Sequence, residues 1–232
     1  KAYNAASDYS ILMAYDQHYA GKEPGPVAAQ LWFEQTLVER MKGLNPAKTI
    51  VAIGSYGYDW SSTEPEGKTV TFQEALITAH ESDATPTFDP ESKNLFFEYD
   101  EEDGSHHTVW FLDGVTAYNQ MRAASGYKPA GFAIWRLGSE DPSIWSILGT
   151  NKATTPDALR KIEYGYLVDF EGNGELLDAI SRPQSGQRNI EVDPASGFIK
   201  SEQITSSPSS YVVERTGDRP GLIALTFDDG PD

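Results

Sequence analysis

Aromatic and acidic side chains occur together after three apolar stretches of the sequence. Tyr15 and Asp16 end the stretch YSILMAYD, and Trp135 ends GFAIW. After KTIVAIG the chain carries a longer set, consisting of Tyr56, Tyr58, Asp59 and Trp60. Flat rings cover the apolar face of a sugar, while carboxylates and phenols hold its hydroxyl and amide groups. These residue types therefore predict a sugar-binding site. The alternative is that the rings fill a core and the aspartates cap helices.

A second kind of chemistry is indicated by LIALTFDDGPD at positions 222–232, where Asp228 and Asp229 follow an apolar run. Adjacent carboxylates repel each other, and they persist mainly where a cation or a proton-transfer role needs them. The histidines do not have the spacing of a companion metal site; they are His18, His80, His106 and His107. The last two are neighbours on a predicted strand and would point to opposite faces. We therefore interpret them as structural or solvent-facing.

The elements that must position the aromatic set follow a strand, helix, strand order. Positions 9–16 form a predicted buried strand, and positions 48–60 form a second one. Between them, the stretch 31–44 places five apolar residues on one helical face, namely Phe33, Leu37, Val38, Met41 and Leu44. This order predicts a parallel sheet. The carboxyl ends of the strands in a parallel α/β barrel form the active-site face.

The next stretches predict three helices, a hairpin and a third buried strand. Thr71 and Glu74 have the spacing of a capping box, which predicts a helix from position 71. Positions 93–113 alternate about the turn EEDG and predict an antiparallel hairpin inserted into the βα order. A helix over 116–125, a buried strand over 129–141 and a short helix from Pro142 follow.

After Pro156 the sequence changes to short alternating runs separated by Gly, Asn, Asp and Pro, which predicts a small β-rich module. We therefore expect a fold of the α/β class. It comprises part of a barrel at 1–150 with an insertion at about 84–113, a β-rich linker module at 156–220, and the first strand of a further domain at 221–232.

Composition excludes several partners. The net charge of −17 would repel nucleic acid and anionic membranes, and the chain has no cysteine for disulfides. No apolar run approaches the ~20 residues of a membrane span.

Lys1 stands where an initiator methionine would, so we expect the chain to be part of a longer protein. We expect no cofactor within it.

The aromatic set resembles the last strands of a family 18 glycoside hydrolase, and the stretches that carry the resemblance are LMAYDQHY, GSYGYDW and GFAIWRLGSED. The resemblance covers roughly residues 9–149. It implies the C-terminal part of a (β/α)8 TIM-type barrel with a β-hairpin insertion. Met13, Tyr15 and Asp16 match the Met-x-Tyr-Asp motif of strand six, and Trp135 matches the tryptophan that floors the sugar subsite.

The same resemblance implies roles for these residues in a substrate-assisted mechanism. Tyr15 would bond the acetamido group of an N-acetylhexosamine, and Asp16 would bind a hydroxyl or amide. The residues that would also contact the substrate are Met13, Trp135 and the set after the second strand, Tyr56, Tyr58, Asp59 and Trp60. The family's acid glutamate lies in an Asp-x-x-Asp-x-Asp-x-Glu run of strand four, and this sequence does not contain that run.

The stretch TFDDGPD resembles the first motif of polysaccharide deacetylases. That resemblance makes Asp228 a general base and Asp229 a ligand of a divalent, zinc-like metal. The two histidines that complete such a site have no counterpart here, so the metal site is incomplete.

Together the resemblances imply part of an extracytoplasmic, cell-envelope enzyme that acts on a polysaccharide with N-acetylhexosamine units. In the alternative, the barrel is a non-catalytic binding or scaffold module that guides polymer to the deacetylase. We expect the isolated chain to be inactive in either case.

Three barrel strands alone would leave apolar strand residues in need of cover; they are Ile11, Leu12, Ile50, Val51, Ile53, Phe132 and Ile134. The β-rich module could fold back over them, or two copies could pair. We expect the homodimer, because a small turn-rich module offers little spare apolar surface.

Overall fold

The computed structural model of the protein describes residues 6–148, 155–165 and 167–223. Its helices are α1 (Gln30–Met41), α2 (Phe72–Glu81) and α3 (Gly114–Ser125), with short 3₁₀ helices at Pro46–Lys48, Pro142–Ser146 and Pro156–Arg160. The first strands are β1 (Ser10–Met13), β2 (Thr49–Gly54), β3 (Gly57–Ser61), β4 (Lys68–Val70), β5 (Thr87–Phe88), β6 (Leu95–Asp100) and β7 (His106–Phe111). The others are β8 (Gly131–Trp135), β9 (Lys161–Ile162), β10 (Val168–Gly172), β11 (Leu176–Ser181), β12 (Gly186–Val192), β13 (Ile199–Ser206) and β14 (Tyr211–Thr216).

The predicted parallel sheet is present, with three strands in the order β1-β2-β8. In its register Met13 lies opposite Ala52, and Gly54 lies opposite Trp135. Helices α1 and α3 contribute to an apolar cluster on one side of this sheet, made of Ala14, Phe33, Leu37, Met41, Val51 and Ala124. The carboxyl ends of the three strands therefore meet at one edge, as the sequence predicted.

The described residues form a mixed α/β fold without a closed barrel. One consequence is an open face on the parallel sheet, where Ile11 is 61% exposed and Met13 is 67% exposed. Parallel sheets are normally covered on both faces. Of the residues predicted to need cover, Val51 and Ile53 instead lie buried on the helix side. The β-rich module does not cover Ile11 or Met13.

The predicted strand over 48–60 is wrong in one respect, because the chain divides it between two sheets. β2 belongs to the parallel sheet, whereas β3 joins a five-stranded antiparallel sheet of order β4-β3-β7-β6-β5. Ser55 donates its N–H to Trp135 O at 2.8 Å, and Tyr56 O accepts from Leu112 N at 3.0 Å. The chain therefore passes from one sheet to the other between these two residues.

A glycine next to this crossing permits close packing. A Cβ on Gly57 would lie 2.5 Å from Trp110 O and 2.5 Å from Phe111 Cβ, so a larger residue would push β3 away from β7.

The predicted hairpin is confirmed as β6 and β7. The sequence over 48–60 did not reveal the change of sheet, because β2 and β3 are both largely buried and both read as apolar strand.

Local signals at the helices were read correctly with two exceptions, the first of which is Leu44, since α1 ends at Met41. Thr71 and Glu74 form the predicted capping box of α2, with Thr71 N donating to Glu74 Oε2 at 2.7 Å. Helix α1 buries Phe33, Leu37 and Met41. Val38, expected on the same face, is 46% exposed. The buried side of α1 is therefore narrower than the set of apolar residues in its sequence suggests.

Strands β9, β12 and β13 pack onto the rest of the fold. Ile162, Ile190 and Ile199 belong to the same buried cluster as Phe72 and Phe111 of the α2 and β7 region. Strands β10, β14 and β11 form a separate sheet, in which Phe170 and Leu177 are exposed.

A buried ionic cluster joins β12 to the helices. The guanidinium of Arg188 is fully buried and bonds Asp113, Asp141 and Glu202, the last at 2.9 Å. It also donates to Ser143 Oγ at 2.9 Å. Burial opposes its charge, but the three carboxylates outweigh burial and raise the pKa of Arg188. The cluster connects residues up to 75 positions apart in sequence.

Glu202 makes the stability of this cluster depend on pH. Burial and the charge of Asp113 raise the pKa of Glu202 well above its usual value, against the opposing attraction of Arg188. The folded state therefore keeps a proton that the unfolded chain releases. This contribution to stability is complete below the ordinary glutamate pKa of about 4.3 and is lost as the pH rises.

We expect Glu202→Gln to remove that pH dependence, because glutamine cannot release the proton. Melting temperatures of the wild type and the variant, measured from pH 4 to pH 7, should diverge in favour of the variant as the pH rises. Glu191→Gln, at an exposed residue of β12 paired with Lys200, is the control. Parallel curves for wild type and Glu202→Gln would contradict the expectation.

Candidate functional site

The candidate site is built around Asp16, which follows β1 at the carboxyl edge of the parallel sheet. Its backbone has a φ of 65°, a left-handed conformation that aspartate tolerates better than most residues. The carboxylate Oδ1 accepts hydrogen bonds from the hydroxyls of Tyr56 and Tyr58, the latter at 3.0 Å. Oδ2 takes no hydrogen bond from the described residues, and Asp16 is exposed. One oxygen is thus fixed by the protein and the other faces solvent.

The two tyrosines come from the antiparallel sheet. Tyr56 lies in the link before β3, and Tyr58 lies within it. Their rings meet edge to face at 5.5 Å. Burial and Asp16 together raise the pKa of Tyr58 to about 12 and raise that of Tyr56 further. Both hydroxyls therefore stay protonated near neutral pH and serve as donors to the carboxylate.

Trp135 ends β8 and is 56% exposed at the same edge. A cavity of about 180 Å³ lies there, lined by Asp16, Tyr56, Tyr58, Thr69, Trp135 and Arg136. It combines a broad exposed ring, one free carboxylate oxygen and a cationic side chain. Such a set can hold a ring-shaped ligand with hydroxyl or amide groups.

Tyr15 and Met13, which precede Asp16 in the sequence, lie in different places. The ring of Tyr15 meets that of Tyr56 edge to face at 6.1 Å, and burial followed by the charge of Asp16 raises its pKa. Tyr15 therefore lies beside the cavity as a protonated phenol. Met13 points to the open face of the parallel sheet, and it is not among the residues that line the cavity.

Asp59 and Trp60 are not brought into the cavity. Along β3 the side chains alternate, so Asp59 faces away from Tyr58. Its carboxylate instead bonds His107 Nδ1 and the Tyr99 hydroxyl, each at 2.9 Å. Trp60 lies on the same face as Tyr58, one step further from Asp16. His107 is buried and His106 exposed, which agrees with the prediction of opposite faces.

Asp228 and Asp229 lie outside the described residues. Within the ranges that are described, no group of three or more His, Asp or Glu side chains has the arrangement of a metal site. None of the helices in those ranges is long and apolar enough to cross a membrane.

Two residues of the cavity were missed by sequence reasoning. Arg136 directly follows Trp135 in the sequence, and this adjacency was the signal that could have identified it as a residue of the cavity. Thr69 reaches the cavity because it lies opposite Tyr58 in the pairing of β3 with β4. Neither β4 nor the turn between β3 and β4 was predicted from the sequence, so the prediction contained no indication of this pairing.

Comparison with known proteins places the site in context. No protein-family model matches the chain. An uncharacterized glycosylase, YvbX of Bacillus subtilis, is 30% identical over 143 residues, which is 61% of this chain and 42% of that protein. A cortical fragment-lytic enzyme of the same organism is 25% identical over 64% of this chain and 35% of its own length.

A solved structure gives the same result at the level of the fold. The chitinase of Chromobacterium violaceum is 32% identical and has a TM-score of 0.57, covering 62% of this chain and 45% of the chitinase. The fold is thus mixed α/β and chitinase-like, and the relatives are glycosylases and cortex-lytic enzymes. The chain spans less than half the length of these proteins.

Proposed function

We propose that this chain carries the substrate-binding half of a family 18-like glycoside hydrolase site for a polysaccharide with N-acetylglucosamine units. The observation that carries the proposal is the pairing of Asp16 with the hydroxyls of Tyr56 and Tyr58 beside the exposed ring of Trp135. Trp135 supplies the floor for one sugar ring. Oδ2 of Asp16 accepts from an amide or hydroxyl group of that sugar. Tyr15 lies beside the same cavity, and its hydroxyl contributes to binding the sugar.

The similarity to glycosylases and to a chitinase supports this substrate class. The cortical fragment-lytic enzyme among the relatives supports a polymer of the cell envelope and therefore action outside the cytoplasm. We further propose that 221–232 begins a polysaccharide deacetylase domain, with Asp228 as base and Asp229 as a ligand of a divalent metal. That proposal rests on the motif TFDDGPD alone.

We expect Asp16→Asn to weaken binding of di-N-acetylchitobiose at least tenfold, because the amide donates where the carboxylate accepts. Calorimetric titration at neutral pH measures the change. Asp83→Asn is the matched control, since Asp83 is also an aspartate with a left-handed backbone, at φ 53°. Trp135→Ala should weaken binding as well, whereas Trp145→Ala, at another exposed tryptophan, should not. Equal affinities for wild type and Asp16→Asn would refute the proposed site.

A second candidate function is non-catalytic binding of the polymer. It is favoured by the absence of the family's acid glutamate run from this sequence, since Asp16 is the one carboxylate among the described residues that line the cavity. Product analysis of the longer protein separates the two candidates, because we expect the isolated chain to be inactive in either case. Release of shorter oligomers from tetra-N-acetylchitotetraose, lost in Asp16→Asn, supports hydrolysis, and an unchanged tetramer supports binding alone.

We also propose that two copies of the chain pair through the open face of the parallel sheet. The exposed side chains of Ile11 and Met13 support this arrangement, because an apolar face of a parallel sheet is normally covered.

A further inference from the structure

A second cavity of about 450 Å³ lies on the same side of β3 as the candidate site. One wall is the loop over 21–24, which begins five residues after Asp16. The opposite wall is formed by Trp60 of β3 together with Thr108 and His106 of β7. Trp60 and Thr108 are direct partners in the pairing of these strands.

The two cavities are separated by one pair of rings. Tyr58 lines the first cavity and Trp60 lines the second, and their ring centroids are 5.4 Å apart. Both side chains extend from the same face of β3, because they are two residues apart. A polymer whose first two units occupy the site at Asp16, and which follows the direction of β3, therefore reaches the second cavity with its later units.

The charges around the second cavity are of both signs. Lys22 carries a positive charge, and Glu23 and Glu64 carry negative charges, so the wall does not present a field of one sign. Two of these groups already have partners within the protein, since Lys22 Nζ donates to Gln17 O and Glu64 pairs with Lys68 Nζ, each at 3.0 Å. A neutral ligand rich in hydroxyl groups suits such a wall better than an anion or a cation does.

An unsatisfied group is present at the same place. The indole Nε1 of Trp60 is buried and has no hydrogen-bond partner among the described residues. Buried donors are normally paired, and leaving one unpaired costs about 1–3 kcal/mol. Trp60, which lines the cavity, thus holds a donor without a partner, and an oxygen of a bound ligand is a group that would pair with it.

We propose that this cavity is a second saccharide subsite, which binds a further neutral N-acetylhexosamine unit of the polymer held at Asp16. The inference rests on the proposed function, because it takes its ligand from the first site. It assigns Trp60 to binding through its indole N–H and not through its ring face, which is buried. Asp59, its neighbour on the strand, has no part in the subsite.

The test is nuclear magnetic resonance of the indole N–H signals in the 232-residue chain, assigned by substitution of single tryptophans with phenylalanine. Di-N-acetylchitobiose should shift the signal of Trp135 and leave that of Trp60 in place. Tetra-N-acetylchitotetraose should shift both signals and bind about tenfold more tightly than the dimer, which corresponds to about 1.4 kcal/mol.

Thr108→Tyr fills the second cavity from a strand position that accepts an aromatic residue. We expect it to reduce the affinity for the tetramer to that for the dimer and to leave dimer binding unchanged. Thr205→Tyr, the same change at an exposed position of β13, should alter neither affinity.

The outcomes distinguish the inference from the proposed function. A tetramer that shifts Trp135 but not Trp60 overturns the second subsite and leaves the first standing. The same conclusion follows if Thr108→Tyr preserves the preference for the tetramer. If neither oligomer shifts Trp135, the proposed function fails, and the second subsite fails with it.

Discussion

Replacing Arg188 with methionine is expected to lower the free energy of unfolding by about 3–5 kcal/mol. The guanidinium is fully buried and is the counterion shared by Asp113, Asp141 and Glu202. Without it, the carboxylates of Asp113 and Asp141 remain without their cation in a site that excludes water, and Glu202 loses its hydrogen-bond donor. A loss of this size is a large part of the 5–15 kcal/mol that typically holds a domain together.

Urea denaturation followed by tryptophan fluorescence measures this change. Arg160→Met is the matched control, because Arg160 forms an exposed pair with Asp157 whose loss should cost less than about 1 kcal/mol. Arg188→Lys should fall between the two, since lysine keeps the charge but cannot bond several carboxylates at once. If Arg188→Met were no less stable than Arg160→Met, the cluster would not be what joins β12 to the helices.

Ile53→Lys should also unfold the protein, and it should do so whatever the oligomeric state. Ile53 is fully buried in the cluster that contains Phe72 and Phe111, on the helix side of the parallel sheet. Removing the side chain alone would cost about 2–5 kcal/mol, and burying an unpaired amine adds to that cost. Circular dichroism at increasing temperature measures the loss.

Met13→Lys is the contrasting variant, because Met13 is exposed on the open face of the same sheet. Its stability as a monomer should stay within about 0.5 kcal/mol of the wild type. Light scattering across a dilution series then tests the proposed dimer, which Met13→Lys should convert to a species of 25.5 kDa. A wild type that is already monodisperse at this mass at every concentration would exclude pairing.

Local features of the fold were predictable because their causes lie close together in sequence. The capping box of Thr71 and Glu74 needs only a spacing of three, and the β6–β7 hairpin needs only alternation about a turn. The division of 48–60 into β2 and β3 was not predictable in this way. It depends on Trp135 and Leu112, which bond to either side of the crossing from distant parts of the chain.

The candidate site was predicted in its residue types but not in its geometry. Once the start of β3 is known, simple alternation separates Asp59 from Tyr58, but the sequence predicted one strand through both. Arg188 was missed for another reason. Arginine is usually exposed, and its partners Asp113 and Asp141 lie 75 and 47 positions away, so no local pattern indicates their contact.

The passage of the chain from β2 to β3 makes the candidate site a joint between two sheets. Asp16 and Trp135 follow strands of the parallel sheet, while Tyr58 belongs to the antiparallel one. Rotation of one sheet against the other about Ser55 would change the distances from Asp16 to both tyrosine hydroxyls at once. A ligand that contacts both sides has to hold the sheets at one mutual angle. Occupancy of the cavity and rigidity of the joint must therefore increase together.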